Sequence, residues 1–223
     1  MKINENVIKL DCTKGSYAYA VIGDEGVTLI DTSMPGRGNA IVSELKTYGI
    51  NLLDIKRILL THHDIDHIGN AAYFQENCEC EIFISKIDYD YVLGHKKRHG
   101  IKKVLGAIMK VDIPKSLKQF STDEIADFSV ISTPGHTPGH TCFQYNDMMF
   151  VGDLISTKNG NPTMPPSIMN WNKGKLIDSL QKLSVKGVKY LCPAHGEHME
   201  VNNNWSDEVN NNWINFVKKI SQK

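Results

Sequence analysis

Three features that would mark a special class of protein are missing from this sequence: a net charge, a long hydrophobic run and a regular pattern of cysteines. Its 25 Lys and Arg residues equal its 25 Asp and Glu residues, so no overall electric field attracts nucleic acid or an anionic membrane. The longest apolar runs, such as 27–30 and 58–60, have the length of strands and fall far short of the roughly 18 residues of a membrane span. These absences predict a protein with neither a nucleic-acid partner nor a membrane partner.

The five cysteines are an odd number at irregular spacings, which argues against the disulfide framework of a secreted domain. Cys78 and Cys80 lie close together, but no second Cys or His pair follows at zinc-finger spacing. Residues 1–6 turn polar at once, whereas a secretory signal would continue into an apolar core. We therefore expect reduced thiols and a cytoplasmic location.

Short runs rich in Val, Ile, Leu and Tyr alternate with helical patterns along the whole chain. Strands are expected at about 7–10, 17–22, 27–31, 56–61, 81–85, 129–133, 141–145, 148–152 and 188–192, and helices at about 39–48, 70–76, 86–118, 175–183 and 206–220. This interleaving, in 223 residues that are 41% hydrophobic, predicts one layered α/β domain over residues 1–223. The longest irregular segment is expected at 158–171, and a loop of that length is often functional.

The predicted helical insert at 86–118 is strongly basic in its second half. Between residues 94 and 118 it has eight Lys or Arg residues and a single acid, Asp112. Its apolar residues form one helical stripe, which contains Ile101, Val104, Leu105, Ile108 and Met109. The segment is either a solvated helix face or a basic lid near the site that attracts an anionic small-molecule substrate.

The segment 61–69 carries five side chains that can bind metal, directly after the predicted strand 56–61. They are His62, His63, Asp64, Asp66 and His67. Imidazole and carboxylate groups bind Zn²⁺ and other divalent ions well, and α/β folds build sites where strands end. The same residues, taken alone, are also compatible with a polar loop that caps the next helix.

Three further segments each present one candidate ligand after or between strands. His136 lies in a stretch rich in Pro and Gly, Asp153 ends the strand 148–152, and His195 follows the strand 188–192. Any one of them alone is typical of a capping or surface residue. Their conjunction with the 61–69 segment, in this order, indicates a metal centre to which all four segments contribute.

In this order the segments resemble the signature of the metallo-β-lactamase superfamily of hydrolases, over nearly the whole chain from Asp31 to Gly196. The resemblance implies a four-layer αββα sandwich with a two-metal site at one edge. It implies that His62, position 64 and His136 surround the first ion, that Asp66, His67 and His195 surround the second, and that Asp153 bridges them. It gives no ligand role to His63, His140 or His198.

The sequence departs from this signature at position 64, where the superfamily has histidine and this chain has Asp64. A carboxylate still binds zinc, so the resemblance implies two divalent ions, with Zn²⁺ first and Mn²⁺ or Fe²⁺ as alternatives. The added negative charge and harder donor could also weaken the first site, which leaves a one-metal centre open.

The resemblance implies a hydrolase in which a metal-bound hydroxide cleaves an ester-like bond, such as a thioester or a lactone, in a small molecule. Asp66 would be both a ligand and the catalytic acid or base. A large insert is missing and only a short tail follows His195, which favours the compact single-domain members. The alternative is a non-hydrolytic metal-binding or redox protein on the same fold, which the change at position 64 keeps open.

Overall fold

The structure is a computed structural model that describes residues 1–120, 123–201 and 212–222. The chain divides into two compact units, residues 1–121 and 122–223. Each unit is built on its own six-stranded sheet, and the single domain expected from the sequence stays a prediction. Part of the helix expected at 206–220 lies outside the described residues.

The first unit has a mixed sheet whose strand order follows the chain, β1-β2-β3-β4-β5-β6. Its strands are β1 (Val7–Lys9), β2 (Tyr19–Gly23), β3 (Gly26–Ile30), β4 (Ile55–Leu59), β5 (Glu81–Ile84) and β6 (Lys118–Gln119), and its helices are α1 (Gly38–Thr47), α2 (Ile65–Ile68), α3 (Ala71–Cys78), α4 (Lys86–Val92) and α5 (Gly100–Ile108). The first three strands pair antiparallel, and β3 to β6 pair parallel.

Parallel pairing explains why polar residues gather at one edge of the first sheet. The carboxyl ends of β3, β4 and β5 lie at the same edge, so the residues that follow each strand come together there. Asp31 follows β3 and donates its backbone N–H to the carbonyl of Leu59 at 3.0 Å. Asp31 also has a positive φ of 58°, a conformation that Asp tolerates better than most residues.

The core of the first unit confirms most of the sequence periodicity. Leu29, Ile58 and Phe74 have no exposed surface, and α1 buries Ile41 and Leu45, which lie one turn apart on one face of the helix. These side chains belong to one apolar cluster that connects the sheet to its helices. Burial of this kind contributes roughly 1.5–3 kcal/mol for each large side chain.

The segment 86–118 corrects the sequence-based interpretation in two ways. Its helices cover only α4 and α5, because residues 93–99 and 109–117 are not helical. The apolar stripe of α5 is also largely exposed, with Val104 at 56% and Ile108 at 73%, whereas Lys102 is buried at 6%. The periodicity therefore predicted a helix here but not the face that packs inward.

The second unit has a sheet of order β14-β13-β10-β9-β8-β7 and a separate two-stranded hairpin. Its strands are β7 (Glu124–Ile125), β8 (Phe128–Ser132), β9 (Thr141–Tyr145), β10 (Met148–Gly152), β11 (Ser156–Lys158), β12 (Asn161–Thr163), β13 (Tyr190–Pro193) and β14 (Met199–Glu200), and its described helices are α6 (Lys173–Lys182) and α7 (Asn212–Ser221). Strands β8, β9 and β10 pair antiparallel, and β13 pairs parallel with β10.

This topology brings the candidate ligands of the second unit to one edge of its sheet. Strands β8, β10 and β13 point the same way, so the loop 133–140 after β8 lies beside Asp153 after β10 and His195 after β13. The segment 158–171, expected to be irregular, contains β12 and a 3₁₀ turn at Ser167–Met169. Asn172 follows this segment directly. Its side chain accepts a hydrogen bond from the Lys175 N–H at 2.9 Å and so caps α6.

All five cysteines are free thiols, which confirms that the chain has no disulfide framework. Cys142 is completely buried, and burial raises the pKa of its thiol to about 12. Across the described ranges, no helix combines the length and the apolar character that a membrane crossing requires.

The glycine that follows the 61–68 segment generates a stability prediction. A Cβ atom at Gly69 would lie 2.4 Å from both the Pro35 nitrogen and the Ser33 carbonyl oxygen, so backbone would have to move. We expect Gly69→Ala to lower the free energy of unfolding by about 1–3 kcal/mol, measured by urea denaturation. Gly174→Ala in α6 is the control, because its Cβ would meet only the Asn172 Oδ1 atom at 3.4 Å. Equal stability of the Gly69 variant and the wild type would contradict this packing argument.

Candidate metal centre

In the first unit, the structure brings together the four candidate ligands of the 61–69 segment. The rings of His62 and His67 lie 3.9 Å apart between centroids. An oxygen of Asp64 lies 3.3 Å from His62 Nε2, and an oxygen of Asp66 lies 3.7 Å from His67 Nε2. Asp64 and both histidines are buried, whereas the Asp66 side chain is 27% exposed. Asp66 is therefore the member of this group with the best access to solvent.

Asp31 fixes the orientation of this group, a role that the sequence did not reveal. Its Oδ1 accepts a hydrogen bond from the Thr61 N–H at 2.8 Å, and its Oδ2 accepts one from the Thr61 hydroxyl at 2.7 Å. His67 Nδ1 lies 2.8 Å from the same Oδ2, so it is the protonated nitrogen that donates to the carboxylate. The tautomer of His67 that results has its lone pair on Nε2.

The same hydrogen bonds assign the tautomer of His62. The Thr61 hydroxyl gives its only proton to Asp31, so at the 3.0 Å contact with His62 Nδ1 the hydroxyl oxygen accepts. His62 then donates from Nδ1 and has its lone pair on Nε2. Both imidazoles are thus prepared as metal ligands through Nε2, as is usual when the other ring nitrogen binds an oxygen atom.

In the second unit, the structure places Asp153 between two histidines. One carboxylate oxygen, Oδ2, lies 3.1 Å from His136 Nε2, and the other, Oδ1, lies 3.3 Å from His195 Nε2. Asp153 and His136 are buried, and His195 is about one-third exposed. Each oxygen of Asp153 therefore faces a different imidazole.

A residue of the 158–171 segment positions His136. Asn170 Oδ1 lies 2.9 Å from His136 Nδ1 and accepts its hydrogen bond, and the Trp171 N–H donates to the His136 carbonyl at 3.0 Å. His136 therefore also presents the lone pair of Nε2. The length of the segment was the only sequence signal for this function, and it did not identify Asn170.

His140 has a structural function, in line with the signature, which gives it no ligand role. Its Nδ1 is 2.8 Å from the Thr133 hydroxyl, and its Nε2 accepts a hydrogen bond from the Asp153 N–H at 3.2 Å. Both ring nitrogens of His140 are thus used within the protein. The residue holds the backbone of Asp153 rather than an ion.

The donor set of each unit fits a divalent ion. Two ligand atoms at about 2.0–2.1 Å from a tetrahedral ion lie roughly 3.3 Å from each other. The imidazole–carboxylate separations of 3.1 and 3.3 Å around Asp153, and of 3.3 Å between His62 and Asp64, match this spacing. Imidazole nitrogen combined with carboxylate oxygen suits zinc and also manganese or iron.

A group of charged residues from the basic segment surrounds Asp64 and His63. Lys102 Nζ is 2.5 Å from Asp64 Oδ2, and Arg98 donates from Nη2 to the His63 carbonyl at 2.9 Å. Asp88 Oδ2 lies 2.9 Å from His63 Nδ1. Burial lowers the pKa of Arg98, although the nearby carboxylates of Asp64 and Asp88 oppose this shift. The sequence showed a basic segment but gave no sign that two of its cations, Arg98 and Lys102, point inward.

Comparisons with known proteins identify the family of this chain. A family model described as the metallo-beta-lactamase superfamily matches residues 13–195. The chain belongs to the metallo-β-lactamase superfamily. The family membership inferred from the four segments is thereby confirmed.

The similar proteins are distant in sequence. YflN of Bacillus subtilis strain 168, a probable metallo-hydrolase, is 26% identical over 207 residues, which cover 80% of this chain and 78% of that protein. The hydroxyacylglutathione hydrolase of Klebsiella pneumoniae is 28% identical over 150 residues, which cover 67% of this chain and 51% of that enzyme. A solved B3 metallo-β-lactamase, described as the first with an active-site glutamic acid, matches with a TM-score of 0.72 and 17% identity over 99% of this chain and 86% of that one. The structural match confirms the α/β metallo-β-lactamase fold.

A substitution at Asp31 tests its role in orienting His67. Asp31→Asn retains the size of the side chain and tolerates the positive φ, but it weakens the charged acceptor that orients His67. We expect metal affinity to fall by about 10- to 100-fold, measured by competition with a chromogenic chelator. Asp178→Asn, an exposed position on α6, is the control and should bind metal as the wild type does. Unchanged affinity in the Asp31 variant would contradict its orienting role.

Proposed function

We propose that this chain is a metal-dependent hydrolase that cleaves an ester-like bond, such as a thioester or a lactone, in a small molecule. The single observation that carries the proposal is the carboxylate of Asp153, whose two oxygens face the Nε2 atoms of His136 and His195. A buried carboxylate between two imidazoles is a donor arrangement that suits a hydrolytic metal centre. Membership of the superfamily supports the same activity.

We propose that the two clusters form one centre, as the superfamily signature implies. His62 and His136 would hold a first ion, and Asp66, His67 and His195 a second, with Asp153 shared between them. Asp64 lies at a ligand position of the signature, and its Oδ2 atom also contacts Lys102 Nζ. Zn²⁺ is the ion that this set of donors suits best, and Mn²⁺ and Fe²⁺ are the alternatives.

Bound divalent ions supply Lewis-acid activation of water and of the scissile carbonyl group. The chain's own residues would orient the ligand side chains and transfer protons. Asp66 would act as the acid or base, because its carboxylate is partly exposed and lies beside a ligand imidazole. Asp31, Thr61 and Asn170 hold three imidazoles in the tautomers that leave Nε2 without a proton.

The nature of the substrate has two lines of support. One relative is named as a hydrolase of hydroxyacylglutathione, which is a thioester, although the match covers only about half of that enzyme. The basic segment 94–118 would favour an anionic substrate, but much of its charge is already paired. Lys96 pairs with Asp90, Lys115 with Glu76, and Lys118 with Glu81. The exposed Lys97, Lys103 and Lys110 are therefore the better candidates for attracting an anion.

A substrate panel tests the proposed activity. Protein loaded separately with Zn²⁺, Mn²⁺ or Fe²⁺ would be assayed on lactones, thioesters, phosphodiesters and a chromogenic β-lactam. We expect metal-dependent hydrolysis in the lactone or thioester group, lost with a chelator and restored by the ion. Fully loaded protein that cleaves none of the four groups would reject the hydrolase and favour the non-hydrolytic metal protein.

Asp153→Ala generates a second test of the centre. The variant loses the carboxylate that both His136 and His195 face, so we expect activity to fall by about 100-fold or more and most bound metal to be lost. Elemental analysis and the hydrolysis assay measure the two effects. Asp147→Ala is a matched control, because Asp147 precedes β10 and Asp153 follows it. Full metal content in the Asp153 variant would exclude its role as a ligand.

A further inference from the structure

The contacts of Asp64 differ from those expected of a simple metal ligand. The superfamily signature has histidine at this position, and a histidine would be neutral there. Asp64 instead adds a negative charge, and Lys102 adds a positive charge at 2.5 Å from its Oδ2 atom. Both side chains are only 7% exposed, so solvent screens the pair weakly.

The ion pair between Lys102 and Asp64 uses the carboxylate oxygen that also faces His62. Lys102 contacts Oδ2, and Oδ2 is also the oxygen that lies 3.3 Å from His62 Nε2. That spacing is suitable for two ligands of one ion. A divalent ion bound by His62 Nε2 and Asp64 Oδ2 would share that oxygen with the ammonium group of Lys102, and the two cations repel each other at so short a distance.

Lys102 and Asp64 belong to a cluster of four charged side chains. Asp64 and Asp88 supply two negative charges, and Lys102 and Arg98 supply two positive charges around the same loop. His63 connects them, since its Nδ1 lies 2.9 Å from Asp88, its carbonyl accepts from Arg98, and its ring stacks on Tyr91 at 4.4 Å. Withdrawal of Lys102 would remove the cation that lies 2.5 Å from the buried carboxylate of Asp64, which is unfavourable.

We propose that Lys102 is a resident cation of the first metal position. Its ammonium group occupies the Asp64 oxygen that a first divalent ion would use. The chain therefore holds a first ion only weakly, and the second position of the proposed centre holds its ion firmly. This inference rests on the proposed metal centre and adds to it a reason for unequal occupancy that the signature alone does not contain.

Metal stoichiometry tests the inference without reference to activity. Wild type and variants would be equilibrated with a zinc buffer of fixed free concentration, separated by gel filtration and analysed for zinc per chain. We expect about one firmly bound ion in the wild type and about two in Lys102→Met, because metal then replaces the lost cation at Asp64. Lys102→Arg retains a cation and should remain near one.

The matched control is Lys103→Met, which removes the same charge from the next residue of α5, where the side chain is exposed. It should bind zinc as the wild type does. Thermal unfolding with and without zinc measures whether Lys102→Met is folded, and the added ion should raise its Tm further than that of the wild type. If the buried methionine prevents folding, Lys102→Gln replaces it and should likewise gain an ion.

The outcomes separate this inference from the proposed function. Two equally firm ions in the wild type, or the same stoichiometry in the folded Lys102 variants as in the wild type, would overturn the role of Lys102 and leave the metal centre intact. Zinc binding by none of the variants would overturn the proposed function and the inference with it.

Discussion

The edge of the first unit that carries the candidate ligands depends on the hydrogen bonds of the Asp31 carboxylate. It accepts hydrogen bonds from the backbone and the hydroxyl of Thr61 and from His67, and so joins the ends of β3 and β4. Because Thr61 donates its hydroxyl proton to Asp31, it can only accept from His62. One buried charge therefore determines the tautomers of two imidazoles before any ion binds, which reduces the reorganisation that metal binding requires.

The sequence identified the candidate ligand residues but gave little sign of the residues that orient them. His136, Asp153 and His195 could be found because each has metal-binding chemistry in its own side chain and follows an apolar strand. Asp31 and Asn170, by contrast, are of residue types that are common in ordinary turns, so the sequence does not single them out. Their importance comes from the pairing of β3 with β4 and from the return of the 158–171 segment to His136, and neither contact is local in the sequence.

Helix α5 illustrates the same limit for packing. Its period of apolar residues predicted the helix correctly, because local periodicity is a property of the segment itself. Periodicity did not predict which face of α5 packs inward, since Lys102 is buried while Val104 and Ile108 are exposed. The reason is electrostatic and non-local. Asp64, 38 positions earlier in the numbering, provides the charge that allows a lysine to be buried.

The position of Lys102 also links two properties that most binding sites can vary separately. The exposed face of α5 includes Lys103 and Val104, and its inner face presents Lys102 to Asp64. A short helix moves largely as one body, so any contact that shifts the outer face also changes the distance between Lys102 and Asp64. On the proposal that Lys102 occupies the first metal position, contacts on the outer face of α5 would therefore change the affinity of that position. A histidine at position 64 would weaken that coupling, because a neutral imidazole has no need of the lysine.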